Sequence, residues 1–163
     1  MTFKKYVLHQ LREMRRELLT ALEDVPEAEM TSFEPVGHWP IAWIAEHCTE
    51  VAEKLLVVPV KGERVLSYAE QVADWPNREP KPGDTYPAKA EIESRWKQVC
   101  DEVVSFVEGL SDDDLQKSWG DNPHAQNILL AVNHTNSHLR SLWCELGQKR
   151  LDNKWAVQQN YLA

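Results

Sequence analysis

Residues 92 to 110 read IESRWKQVCDEVVSFVEGL, and within them Ile92, Trp96, Val99, Val103, Phe106 and Leu110 recur at alternating steps of four and three. A helix with 3.6 residues per turn brings positions at those steps onto one stripe, and an apolar stripe on a polar helix faces a core. Gly109 lies near the end of this helix, and the SDDDL that follows reads as a serine cap whose acidic residues favour a short helical turn. The segment opens near Pro87 or Ala88.

Working outward, three further segments carry the same periodicity. The first runs from about Thr2 to Glu23, with Val7, Leu11, Met14, Leu18 and Leu22 on its stripe. A second begins near Pro40, since proline suits a first helical turn, and continues through Ile41, Ile44, His47, Val51 and Leu55 to about Val57. Between them Asp24 to Trp39 form a polar, proline-bearing connection. The last helix starts near Asn122 and Pro123 and passes through Ile128, Leu129, Ala131, His134, His138 and Leu142, with Gly147 as its stop. Residues 148 to 163 are polar and read as a surface tail. The stretch from Pro59 to Pro87 holds five of the nine prolines with Trp75 and Tyr86, and reads as a long loop over one end of the molecule, with a short helix near Ser67 to Ala73. No strand-like alternation of useful length occurs, so the layers must be helix on helix: an all-α, four-helix bundle.

A chain of 163 residues with 42% hydrophobic content fills one continuous core, so residues 1 to 163 are expected to form a single domain. The charged fraction of 27% argues against a disordered chain, and no apolar run approaches the roughly 20 residues of a spanning helix. The N-terminus, MTFKKYVLHQLREMRRELL, lacks a continuous apolar segment and a cleavage site, which points to the cytoplasm. A formal charge of -8 repels phosphate backbones and anionic lipid surfaces, which disfavours nucleic-acid and membrane partners. The basic stretch Lys4, Lys5, Arg12, Arg15 and Arg16 is broken by apolar positions and by Glu13 and Glu17, and reads as a solvated helix face. Cys48, Cys100 and Cys144 have no CxxC spacing and lie inside helical patterns, so reduced, mostly buried thiols are expected.

His134 and His138 are four residues apart and so project from one helix face a turn apart, a spacing that closes a chelate around one metal ion. Leu130, Ala131 and Leu142 lie on or beside the same stripe, so both imidazoles are expected to face the interior, where His47 joins them from the second helix in register with Ile44, Val51 and Leu55. Two readings stand on these residues alone. Either three core histidines are satisfied separately by hydrogen bonds, or they form one site for a divalent first-row ion such as Zn²⁺ or Ni²⁺, which neutral imidazole suits.

Three stretches then resemble a known family. GHWPIAWIAEHCTEVAEKLL, Gly37 to Leu56, is similar to the helix of the DinB-like (YfiT-like) superfamily in which a tryptophan-containing apolar run leads to a ligand histidine. NHTNSHLRSLWCELG, Asn133 to Gly147, resembles that family's closing helix, and LSDDDL, Leu110 to Leu115, resembles the segment before it. The resemblance covers nearly the whole chain in order. It implies an up-down-down-up bundle with a histidine triad at one end: His47 matches the ligand of the second helix, and His134 and His138 match the pair of the fourth. Many members follow the last histidine with a pair ending in glycine, whereas this chain has Leu139, Arg140 and Ser141, a departure that removes no ligand.

Among the remaining candidates, Glu50 lies three residues after His47 and is within reach of a metal, although a solvated or helix-pairing glutamate is the simpler reading; Glu46 and Glu53 have weaker claims. His38 and His124 fall near helix starts, and His9 reads as a surface residue. Trp39, Trp43 and Trp143 at helical spacing read as core before they read as a substrate platform. Cys48 and Cys144 lack the flanking base of a nucleophile. No phosphate loop, nucleophile elbow or HExxH motif is present, so no catalytic side chain is assigned beyond the metal ligands.

Three histidines leave coordination positions open, the pattern of a catalytic rather than a closed structural site. The first expectation is therefore a metal-dependent enzyme acting on a small molecule, for which the resemblance implies hydrolysis or transfer involving a low-molecular-weight thiol. The second is a non-catalytic metal-binding stress protein that forms a homodimer, and a third is a metal-free bundle whose cavity takes an organic ligand.

Overall fold

A computed structural model describes residues 2–32, 39–66, 78–119 and 122–151. Helix α1 spans Phe3–Leu22, and Thr2 caps it by accepting a hydrogen bond from the Lys5 amide at 3.3 Å. Its five expected core positions are buried, with Leu8 and Ala21 beside them. The connection that follows is less polar in effect than in composition: Val25 and Met30 flank a single 3₁₀ turn, Glu27–Glu29, and both are buried. The Met30 carbonyl accepts from the Ala42 amide at 2.8 Å and ties this connection to the next helix. His38 lies outside the described residues.

Helix α2, Ile41–Ala52, opens at Pro40 as expected and is buried on all sides from Ile41 to Glu50, which places it inside the bundle rather than along its edge. It does not stop at Val57. One π turn, Glu53–Val57, leads directly into α3, Val58–Lys61, and the rod ends at Gly62, whose φ of 77° is the left-handed cap and whose amide bonds the Val58 carbonyl at 2.8 Å. Pro59 therefore opens no loop. The wide turn makes it a first-turn residue of α3, where its missing N–H is no loss, instead of an interior residue whose ring would strike the preceding carbonyl.

The chain then folds back. Glu53, fully buried, accepts from the Val65 and Leu66 amides at 2.8 Å each, and Arg64 pairs with Glu50 at 2.8 Å. The short helix expected near Ser67 to Ala73, and Trp75, fall outside the described residues. A turn held by Arg78 and Asp84, with two contacts of 2.9 Å, precedes α4, Lys89–Gly109. Ile92, Trp96, Val99 and Val103 are buried as expected. In the last turns Val107 takes the core position, while Phe106 is only partly buried. Ser111 and Asp114 then cap one another: the Asp114 carboxylate accepts from the Ser111 amide and hydroxyl, and the Asp114 amide donates to the Ser111 hydroxyl. This box sets the 3₁₀ turn Asp114–Gln116 and seats Leu115 in the core.

A two-residue antiparallel pairing, β1 Ser118–Trp119 with β2 Asn122–Pro123, leads into α5, His124–Leu151. Two expectations fail here. Gly147 does not end the helix, which continues to Leu151, the first residues of the expected tail; and Leu130 is 53% exposed, off the buried stripe. Helices α1 and α2 each pack against both α4 and α5, which puts α1 and α2 at opposite corners of a four-helix bundle. Two lysines tie its ends. Lys4 donates to the Glu108 and Leu110 carbonyls at 2.7 and 2.5 Å, and Lys89 donates to those of Glu23 and Val25 at 3.0 and 2.9 Å. The other arginines of the basic stretch are engaged in ion pairs: Arg12 with Glu108, Arg15 with Asp101, Arg16 with Glu13. No helix of the described residues is long and apolar enough to cross a membrane.

Candidate metal centre

His47 projects from the buried helix α2 and is 8% exposed; His134 and His138 project from successive turns of α5 and are half-buried. The His47 and His134 Nε2 atoms lie 3.1 Å apart. The ring centroids are 5.0 Å apart for His47 and His134, 4.8 Å for His47 and His138, and 4.7 Å for His134 and His138. One ring nitrogen from each histidine falls within 4.8 Å of the others, and among the described residues no further His, Cys or carboxylate joins this group.

The donor set fits a divalent ion. Tetrahedral Zn–N bonds of about 2.0–2.1 Å separate neighbouring ligand nitrogens by roughly 3.3–3.4 Å; the His47 and His134 nitrogens stand near that spacing at 3.1 Å, and the set as a whole lies within 4.8 Å. Burial, then the neighbouring His138 and His134, pull His47 down to about 4, and burial likewise lowers both partners. The three imidazoles are thus neutral at pH 7, with lone pairs free to coordinate. Separate satisfaction of the rings, the competing expectation, needs a partner for each buried ring nitrogen. Among the described residues the buried Nδ1 atoms of His47 and His134 have no hydrogen-bond partner, and one proton at most can sit between the two facing Nε2 atoms. A cluster of converging, incompletely paired nitrogens is what an ion shared between them would resolve.

The glutamates of α2 have other partners. Glu50 is neither solvated nor in the histidine cluster: it is buried and holds Arg64. Glu53 holds the turn at Val65 and Leu66. Glu46 faces Arg95 at 3.5 Å, and burial outweighs that charge and pushes its carboxyl up to about 7. Sequence reading named these three glutamates but not their burial; its signal was their helical spacing within the mostly apolar run from Ile41 to Val57.

The tryptophans divide. Trp43 is 3% exposed and stacks on His47, with centroids 4.7 Å apart and planes 10° from parallel. Trp39, just before Pro40, meets Trp43 edge-on at 4.4 Å and stands 6.2 Å from His138. Trp143 is half-buried against the core. His9 is exposed, and His124 opens α5 with its ring 5.7 Å from Phe106. Cys48 and Cys100 are buried, and burial pushes both thiols up, Cys48 to about 12. Two of the three thiols are thus buried, and Cys144 is exposed on the outer face of α5.

A sequence model of the DinB superfamily matches residues 10–142, a span that holds all three histidines. The chain belongs to the DinB superfamily. No curated protein matches it. In this DinB-superfamily chain α5 runs without a break through Leu139, Arg140 and Ser141, so the helix that carries His134 and His138 is continuous.

Proposed function

We propose that the protein is a metal-dependent enzyme acting on a small molecule, with His47, His134 and His138 holding one divalent ion, Zn²⁺ or Ni²⁺. The observation that carries this reading is the convergence of three neutral imidazoles without a fourth ligand among the described residues, which leaves coordination positions open. When bound, such an ion lowers the pKa of a coordinated water or thiol and so supplies a nucleophile at neutral pH. The chain's own part is to hold the ligands rigidly: α2 is buried all round, Trp43 braces the His47 ring, and α5 sets His134 and His138 one turn apart.

The bundle course that goes with this reading is up-down-down-up, with the Gly62 to Ala88 segment as the long connection. Lys4 reaching Glu108 while Lys89 reaches Val25 supports α1 running against α4; the pairs Glu46 with Arg95 and Lys61 with Glu102 support α2 and α3 running along it.

Hydrolysis and transfer of a low-molecular-weight thiol are the two reaction classes to test. Metal-stripped protein reloaded with Zn²⁺ or Ni²⁺ is assayed on ester and amide substrates and on electrophiles supplied with a thiol. Metal-dependent turnover in either class that disappears in His138→Ala supports the proposal; bound metal without turnover in both contradicts the enzymatic reading and leaves a metal-binding protein.

A further inference from the structure

Trp39, Trp43 and His47 form a continuous run of rings: Trp43 lies flat on His47, and Trp39 stands edge-on to Trp43. Trp39 then returns toward the cluster, 6.2 Å from His138 and tilted 31° to it. Its exposure separates it from the rest of the run. Trp43 and His47 are buried, whereas Trp39 is 37% exposed, one of few large apolar side chains among the described residues that meet solvent. The reason is positional, since Trp39 precedes the residue that opens α2 and is not drawn into the bundle with that helix. The half-buried His134 and His138 are the other accessible members of the cluster, and the partly exposed Trp39 indole stands beside one of them, His138.

We propose that Trp39 is a binding platform for the organic ligand of this site: the molecule that completes the coordination shell carries a flat, apolar ring or conjugated group, a few bonds from its coordinating atom, that lies on the indole. The proposal rests on the triad holding a metal and goes further by naming the substrate class. An exposed indole gains from being covered by such a group, through burial of both surfaces and through offset stacking.

The test compares imidazole with phenylimidazole as ligands of the cobalt(II)-loaded protein, with dissociation constants read from the visible absorption bands. The two probes share a donor atom and differ in the flat ring. The wild type is expected to prefer phenylimidazole by about threefold to tenfold, the range a stacked aromatic pair supplies. In Trp39→Ala that preference falls close to unity with imidazole affinity unchanged, and in Trp39→Phe most of it remains. Should Trp39→Ala not fold, Trp39→Leu, which keeps apolar bulk without a flat ring, carries the same comparison. An equal preference in wild type and variant, with cobalt bands intact, overturns the platform and leaves the metal site standing. Absence of cobalt bands from the wild type overturns the metal reading and the platform together.

Discussion

His47 and His134, 87 positions apart in the chain, face each other Nε2 to Nε2 across 3.1 Å. Two imidazoles at that separation hold at most one proton between them, and the neighbouring His138 leaves still less room for charge. The site is built to be neutral, and its neutrality has a consequence for stability.

In the metal-free protein the three histidines are harder to protonate folded than unfolded. Their contribution is therefore fully present above the unfolded value of about 6.5 and is lost as pH falls from there toward 4, with a slope of about 1.4 kcal/mol per pH unit for each proton taken up on unfolding. Glu46, raised to about 7, acts in the opposite sense between 4.5 and 7, since there the folded state holds the extra proton. Urea midpoints measured from pH 7.5 to 4.5 should fall, and fall more steeply in Glu46→Gln. A shallower acid loss in that variant would contradict the assignment.

Glu53 is fully buried and accepts two backbone amides with one oxygen, so its removal strands both donors. Glu53→Ala should destabilise the protein by about 2–4 kcal/mol and speed hydrogen exchange at Val65 and Leu66, and Glu53→Gln, which keeps an acceptor, should cost less. Exchange at those two amides unchanged in Glu53→Ala would show that the carboxylate does not hold the turn.

Lys4 and Lys89 cap the C-terminal carbonyls of α4 and of the end of α1 from opposite ends of α4, roughly 28 Å apart by helix rise. Replacing either with Met should cost about 1 kcal/mol, and the double variant about twice that, because the sites are too distant to couple. Denaturant titration of the three variants measures both the size and the additivity.

Thiol accessibility separates the cysteines. A disulfide reagent should titrate Cys144 promptly in the native protein, while Cys48 and Cys100 react only on unfolding, since both are buried and their thiolates are disfavoured. Prompt reaction of a second thiol in the folded protein would contradict the packing of α2 against α4 and α5.

The parts of this fold that could be read from residues are those where periodicity is unambiguous. Val7 to Leu22 offer one apolar stripe and one only, and they are buried as read. At the end of α4 both Phe106 and Val107 are apolar, so a step of three and a step of four are equally good on paper, and only packing against α1 and α2 selects Val107. Pro59 and Gly147 look like punctuation because each is unfavourable inside a helix. A π turn accommodates the first, and the second costs an exposed helix only about 1 kcal/mol, which the rest of α5 outweighs. The pairing of His134 with His138 was legible in their spacing. The register of His47 with Ile44, Val51 and Leu55 turned it inward on paper and the family resemblance joined it to the pair, whereas the ties of Arg64 to Glu50 and of Arg95 to Glu46 were invisible because charge pairing between segments leaves no periodic trace.

The most direct test is the metal content of protein purified without a histidine tag, measured by elemental mass spectrometry for the wild type, His47→Ala, His134→Ala, His138→Ala and His9→Ala. The account predicts about one Zn or Ni per chain in the wild type and in His9→Ala, and loss of tight binding in the three triad variants. Equal metal content in all five proteins, or no metal in any of them after incubation with divalent ions, would contradict it.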